Sequence, residues 1–226
     1  DRLHARGVPT LFWSIEDPPH YHDFIDVAKQ CQWVLTTAEE MLPAYARDCG
    51  HDRVRTLSFG VNPSLHHPVG RREHPTAMFF AGSWYRQYPD RGVDMANLFD
   101  GARHAMRELL LVDRCYYRGS PSFEFPSAYR PFTLPPMEHA DLQKVQKTFT
   151  WCVNFNSVKH SRTMFANRVP ELLAQGSCAV SNYSVAMDAL FPMAFTVTAA
   201  SQVPAIVRVT DADRRLRQQA GLRAMM

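Results

Sequence analysis

The sequence predicts an α/β protein with parallel sheets, and three observations carry that expectation. Short apolar runs alternate with longer amphipathic segments almost throughout the 226 residues. The apolar runs, Ala77-Met78-Phe79-Phe80-Ala81 above all, are continuous rather than alternating, as strands covered on both faces require. The rhythm breaks over 61–75 and then restarts, which divides the chain in two.

In the first part Thr10–Ile15, Trp33–Thr37 and Val54–Phe59 read as strands, with helices at about 20–30 and 38–48 between them. Thr37 and Glu40 have the spacing of a capping box for the second helix, and Gly50 stands just past its end. The chain opens on a loop entering a buried strand, Gly7 to Trp13, so residues 1–60 are expected to be the later part of a Rossmann-like domain whose beginning is missing. Residues 61–75, with Val61-Asn62-Pro63, the pair His66-His67 and the charged run Gly70–Glu73, read as an interdomain linker.

Residues 76–226 form the second Rossmann-like domain in this reading. Its first strand ends at Gly82, and a helix follows with Met95, Leu98, Phe99 and Ala102 on one face. The next strand is Leu109–Asp113. Residues 114–136 are rich in proline and aromatic side chains and too irregular for a regular element over most of their length, the mark of a functional or interface-forming insertion. A helix near 139–147, the strand Phe149–Phe155, a helix ending before Gly176, the strand Cys178–Ser181, a helix near 184–190, the strand Ala194–Val197 and terminal helices complete the order. The charged helical pattern from Asp211 meets no stop signal before Met226, so this domain is expected to be truncated at its end.

Composition narrows the function classes. With 46% hydrophobic and 21% charged residues the chain is globular, and 25 basic against 22 acidic side chains give a net charge of +3. That charge is too small to signal a nucleic-acid partner or an anionic membrane, so any anion site must be local. Five widely spaced cysteines contain no C-x-x-C pair, which suggests neither a disulfide framework nor a zinc knuckle and fits a reducing cytosol. No apolar run approaches the ~18–20 residues of a membrane span. No G-x-G-x-x-G, Walker loop or G-x-S-x-G occurs, which argues against dehydrogenases, phosphate-loop ATPases and α/β-hydrolases.

The segment with most chemistry runs from Asn154 to Gly176. Its loop follows the carboxyl end of a buried strand and opens a helix, where doubly wound sheets bind ligands. Asn154, Asn156, Lys159, Ser161, Arg162, Thr163 and Arg168 place hydrogen-bond donors there within fifteen residues. A diphosphate would be well served, and an ordinary loop with a polar cap is the alternative. Gly82 and Ser83 let a backbone approach a ligand without an obstructing Cβ, or simply end a strand. Arg86 and Arg91 offer charge-assisted donors. Asp17, in Glu16-Asp17-Pro18-Pro19, suits a general base for an acceptor hydroxyl and equally an N-cap. No metal is expected: His20 and His22, two apart on a helix, point away from each other, and Asp211-Ala212-Asp213 is explained by capping.

Several motifs resemble the glycosyltransferases related to the spore-maturation protein CgeB. They are Val153-Asn154-Phe155-Asn156-Ser157-Val158, Ser161 with Thr163-Met164-Phe165, Arg168-Val169-Pro170-Glu171-Leu172-Leu173-Ala174-Gln175-Gly176, and Val180-Ser181-Asn182-Tyr183-Ser184. Upstream, Trp13-Ser14-Ile15-Glu16-Asp17-Pro18, Phe59-Gly60-Val61-Asn62-Pro63, Phe80-Ala81-Gly82-Ser83-Trp84-Tyr85, Arg91 and Asp113-Arg114 extend the likeness over most of the chain. The resemblance implies a GT-B fold of two Rossmann-like domains, with the nucleotide on the second and the acceptor mainly on the first. Transfer of a sugar from a UDP- or GDP-linked donor to an unknown acceptor, glycan, lipid-linked or protein, is the implied activity.

Carried over by position, Glu171 would hold ribose or sugar hydroxyls and Arg168 would neutralise the diphosphate or lock its helix. Gly82, Ser83, Arg91, Arg114, Asn156, Lys159, Ser161, Thr163 and Met164 complete the implied donor site, with Asp17 and Glu171 as the catalytic candidates. The implied stabilisation of the leaving diphosphate uses these cations without a metal or other cofactor. Two departures stand out. Thr163 occupies the position eight before Glu171 where related enzymes often carry a first glutamate, and Pro170 replaces a phenylalanine. A proline deep in a helix is costly, so the helix is expected to start near Asn167 with Pro170 in its first turn. The missing glutamate keeps open a non-catalytic nucleotide-sugar-binding module, and a sugar-nucleotide epimerase on the same fold is a third possibility.

Overall fold

The computed structural model describes residues 3–106 and 108–226. In chain order the first elements are β1 (Leu11–Ser14), α1 (Tyr21–Ala28), β2 (Trp33–Thr36), α2 (Leu42–Cys49), β3 (Val54–Thr56), β4 (Ala77–Gly82), α3 (Pro89–Ala105) and β5 (Glu108–Asp113). Then follow β6 (Thr133–Leu134), α4 (His139–Gln146), β7 (Trp151–Asn154), α5 (Arg168–Ala174), β8 (Cys178–Asn182), α6 (Val185–Leu190), β9 (Phe195–Val197), α7 (Val203–Val207) and α8 (Asp211–Met225). They form two compact units. One holds the chain up to Phe59 with Val158–Phe165 and Ser184–Leu190; the other holds Gly60–Ser157, Ala166–Tyr183 and Phe191–Met226.

The first unit contains a parallel sheet in the order β1-β2-β3, with Phe12 beside Val34 and Thr36 beside Thr56. Tyr21, Ile25, Ala28, Val34, Tyr45 and Val54 make its core, where the Tyr21 and Tyr45 rings meet edge to face at 4.8 Å. Gly50 closes α2 in the left-handed region at φ 71°, a conformation glycine adopts without steric cost. The start of α2 differs from the capping-box expectation. A helix beginning after Thr37 would put Pro43 in its interior, where the ring has no N–H to give and collides with the preceding turn. The chain instead makes a short 3-10 turn at Glu39–Met41 and begins α2 at Leu42, with Pro43 in the first turn. Glu40 accepts a hydrogen bond from Ser161 Oγ at 3.0 Å instead of capping.

The second unit is a six-stranded, all-parallel sheet in the order β6-β5-β4-β7-β8-β9. The chain starts at β4, builds outward to β6, returns to β7 beside β4 and builds the other way. This is the doubly wound order with its switch point between β4 and β7, where such sheets open a crevice at the carboxyl ends of the strands. Met95, Leu98, Phe99 and Ala102 of α3 are fully buried with Phe80, Trp151, Val153 and Val180. The irregular 114–136 segment is tied to this core by Phe125 and Tyr129, which pack against Trp84 and Phe99, and it ends by adding β6 to the sheet. Thr210 caps α8 by accepting from the Asp213 N–H at 3.1 Å, as the capping reading of the Asp-x-Asp run requires. No described helix is long and apolar enough to cross a membrane.

Candidate functional site

The register sets Gly82 beside Asp113 and Asn154 beside Ser181, so β4, β5, β7 and β8 end along one edge of the sheet. A cavity of about 370 Å³ lies at that edge, lined among others by Gly82, Ser83, Tyr85, Arg91, Arg114, His139, Asn154, Arg168 and Glu171. Three of the lining residues are arginines and only Glu171 is a carboxylate.

Each arginine is held differently. Arg91, 7% exposed, donates from Nη1 to the Ser83 carbonyl at 3.0 Å, and its guanidinium lies 5.0 Å from the Tyr85 ring centroid. Burial pulls its pKa down to about 10, which still leaves it a cation at neutral pH. Arg168 lies over the Phe80 ring at 5.5 Å. Burial lowers its pKa too; the Glu171 charge works against that shift, and Arg114 adds to it. Arg114 donates to the Tyr85 hydroxyl. Among the described residues, no carboxylate pairs with Arg91, Arg114 or Arg168.

Glu171 sits one turn along from Arg168 on α5. Its side chain is 13% exposed, and Oε1 accepts from Asn167 Nδ2 at 3.2 Å. Burial raises its pKa above the usual carboxylate value, with Arg168 and His139 opposing. α5 begins at Arg168 with Asn167 as the preceding residue and Pro170 in the first turn, as the proline demands. Asn167 gives its side chain to Glu171 rather than to a cap.

The structure therefore brings Gly82, Ser83, Arg91, Arg114, Arg168 and Glu171 to one cavity of the second unit. Asn156, fully buried, accepts the Ala166 N–H at 2.8 Å and donates to Ser181 Oγ at 3.1 Å, so its amide is used up in holding the loop. Lys159, Ser161, Thr163 and Met164 belong to the first unit. Ser161 Oγ donates to Glu40 and accepts from the N–H groups of Thr163 and Met164, and Thr163 Oγ1 donates to the Thr37 carbonyl and accepts from the Glu39 N–H. Asp17 is also internal: it accepts from the Thr36 and Tyr45 hydroxyls, and α1 begins only at Tyr21 after His20. A carboxylate so enclosed is an anchor for β2 and α2. It neither meets an acceptor hydroxyl nor caps a helix.

Sequence reasoning missed Tyr85, His139 and Gln143 as lining residues, and it missed His66. His66 is 7% exposed, and its Nε2 lies 3.8 Å from Glu171 Oε1.

No protein-family model and no curated protein matches the sequence. Solved structures do. HepE of Anabaena, in complex with UDP and glucose, matches with a TM-score of 0.62 at 12% identity, over 99% of this chain and 68% of that one. WaaG, a glycosyltransferase involved in lipopolysaccharide biosynthesis, matches at 0.61 and 9%, over 99% and 75%. TarM matches at 0.65 and 8%, over 97% of this chain and 47% of its own. The chain has the GT-B fold. Its two sheets correspond to the two Rossmann-like domains of GT-B proteins, and the chain spans roughly half to three quarters of the length of these three.

Proposed function

We propose that the cavity of the second unit binds the diphosphate of a nucleotide sugar and that the protein transfers the sugar to an acceptor hydroxyl. The observation that carries this reading is the set Arg91, Arg114 and Arg168 facing one cavity without carboxylate partners, at the switch point of a doubly wound sheet. Cations held by carbonyl, hydroxyl, thioether and ring contacts, with no carboxylate among them, are arranged for an anion brought from outside. When the bond from the anomeric carbon to the diphosphate oxygen breaks, the electron pair leaves with the diphosphate. Fixed, largely desolvated guanidiniums stabilise that charge, which is the task a divalent metal performs elsewhere. Glu171 accepts hydrogen bonds from ribose or sugar hydroxyls. HepE of Anabaena, solved with UDP-glucose, supports a UDP-linked donor, and the motifs around Glu171 support a CgeB-like enzyme. In this reading residues 1–60 belong to the acceptor side, 61–75 cross between domains and 76–226 carry the donor. The acceptor is a glycan, lipid-linked or protein hydroxyl, and five free cysteines accord with a cytosolic setting.

One observation favours a second reading, a binding module without transferase activity. Thr163 stands where a first glutamate would, and its hydroxyl is bound to Thr37 and Glu39. Calorimetry with a panel of UDP- and GDP-sugars, in chelator, separates the readings. Binding with release of free nucleoside diphosphate supports the transferase, binding without turnover supports the module, and no binding by any member refutes both.

A further inference from the structure

His66 lies in the segment that reads as a linker, yet the fold locks it in place. Its backbone N–H donates to the Asn62 carbonyl at 2.7 Å, and the Asn62 N–H donates to His66 Nδ1 at 3.1 Å. The Asn62 side chain tightens the same turn by accepting from the Ser64 N–H at 3.0 Å. A backbone N–H can only donate, so Nδ1 carries its lone pair and the proton of the neutral ring sits on Nε2. That Nε2 is buried and has no hydrogen-bond partner. Glu171 Oε1 lies 3.8 Å from it, somewhat beyond the roughly 2.7–3.2 Å of a formed bond. Burial lowers the His66 pKa, which keeps the ring neutral and agrees with this tautomer.

His66, His139 and Glu171 each offer a ligand atom within 4.8 Å of the others, the donor types of a zinc site. Their second contacts argue against one. A metal-bound imidazole gives its other N–H to an acceptor, whereas here both rings are met by donors. The Asn62 N–H faces His66 Nδ1, and Gln143 Nε2 lies 3.1 Å from His139 Nε2 while Gln143 Oε1 accepts from Gln175. The Asn62 contact leaves the His66 Nε2–H as a hydrogen-bond donor beside Glu171.

We propose that His66 is a positioning residue for Glu171. When ligand binds, the His66 Nε2–H, 3.8 Å from Oε1 in this structure, closes on the oxygen that already accepts from the Asn167 amide, so that Oε2 is presented to the hydroxyls of the bound sugar nucleotide. This rests on the reading of the cavity as a nucleotide-sugar site. The test combines ¹⁵N NMR of the His66 ring with calorimetry of UDP-glucose and GDP-mannose binding to wild type, His66→Leu, His66→Gln, Glu171→Gln and the His66→Leu/Glu171→Gln double variant. The expected tautomer is Nε2–H. His66→Leu is expected to weaken binding roughly tenfold, His66→Gln to restore most of it, and the double variant to bind no worse than Glu171→Gln alone. An Nδ1–H tautomer, losses that multiply in the double variant, or saturable zinc binding abolished by His66→Leu would overturn the proposal while leaving the nucleotide site standing. Failure of the wild type to bind either sugar nucleotide sinks the underlying reading itself.

Discussion

Val158–Phe165 and Ala166–Glu171 are consecutive stretches of one loop-to-helix segment, both rich in polar side chains, and they use them in opposite ways. In the first, the Ser161 and Thr163 hydroxyls each both donate and accept within the first unit, and Arg162 pairs with Glu39 at 3.5 Å. In the second, Arg168 has no carboxylate partner and Glu171 keeps one oxygen unbonded among the described residues, both facing a cavity. The lesson concerns satisfaction rather than density. A buried polar group that has spent its hydrogen bonds on the chain is architecture, and one that has not is available to a ligand.

The largest effect expected from this contrast is on binding. Arg168→Ala should weaken UDP-sugar affinity about a hundredfold by removing a partly buried, charge-assisted donor, with little change in melting temperature. A loss under about threefold, read by calorimetry, would mean that Arg168 only stiffens its helix. Thr163→Val should do the reverse. It strands the Thr37 carbonyl and the Glu39 N–H, costing about 1–3 kcal/mol of stability, or several degrees in melting temperature, with donor affinity unchanged. A Thr163→Val protein that melts normally but loses the donor would return that turn to the binding site.

The smallest effect is pH-dependent. Burial raises the Glu171 pKa in the folded protein, so between the unfolded and folded values the native state holds more protons than the unfolded chain. This group's contribution to stability therefore falls as pH rises through that window, opposite to a salt-bridged carboxylate. Affinity for a hydroxyl-donating ligand should climb over the same interval as the carboxylate ionises. Glu171→Gln should flatten both profiles, measured by melting and by calorimetry across the acid range; an unchanged wild-type slope in the variant would assign the effect to another group.

Most of the architecture was legible in the sequence because it follows from periodicity. The continuous apolar run at Ala77–Ala81 and the α3 face of Met95, Leu98, Phe99 and Ala102 both lie in the core as read. That Gly82, Arg91, Arg168 and Glu171 come together at one cavity was legible because strand ends and helix starts can be located from the same pattern. The start of α2 was misread because a local capping signal was weighed without the proline five residues after Ala38. His66 was hidden for a different reason. Segment 61–75 has no apolar period, so nothing in it announces burial, and the available signal was the Asn62-Pro63 turn that pins the imidazole.

Behind α5, α8 approaches so closely that a Cβ on Gly221 would stand 2.9 Å from Leu173 Cδ2. Leu173 is fully buried and belongs to the helix that carries Arg168 and Glu171. Room for one methyl group on the last helix is therefore tied to where a guanidinium and a carboxylate point. A substitution at Gly221 would reach the cavity lining without being part of it, and a survey of variants confined to cavity-lining positions would miss it.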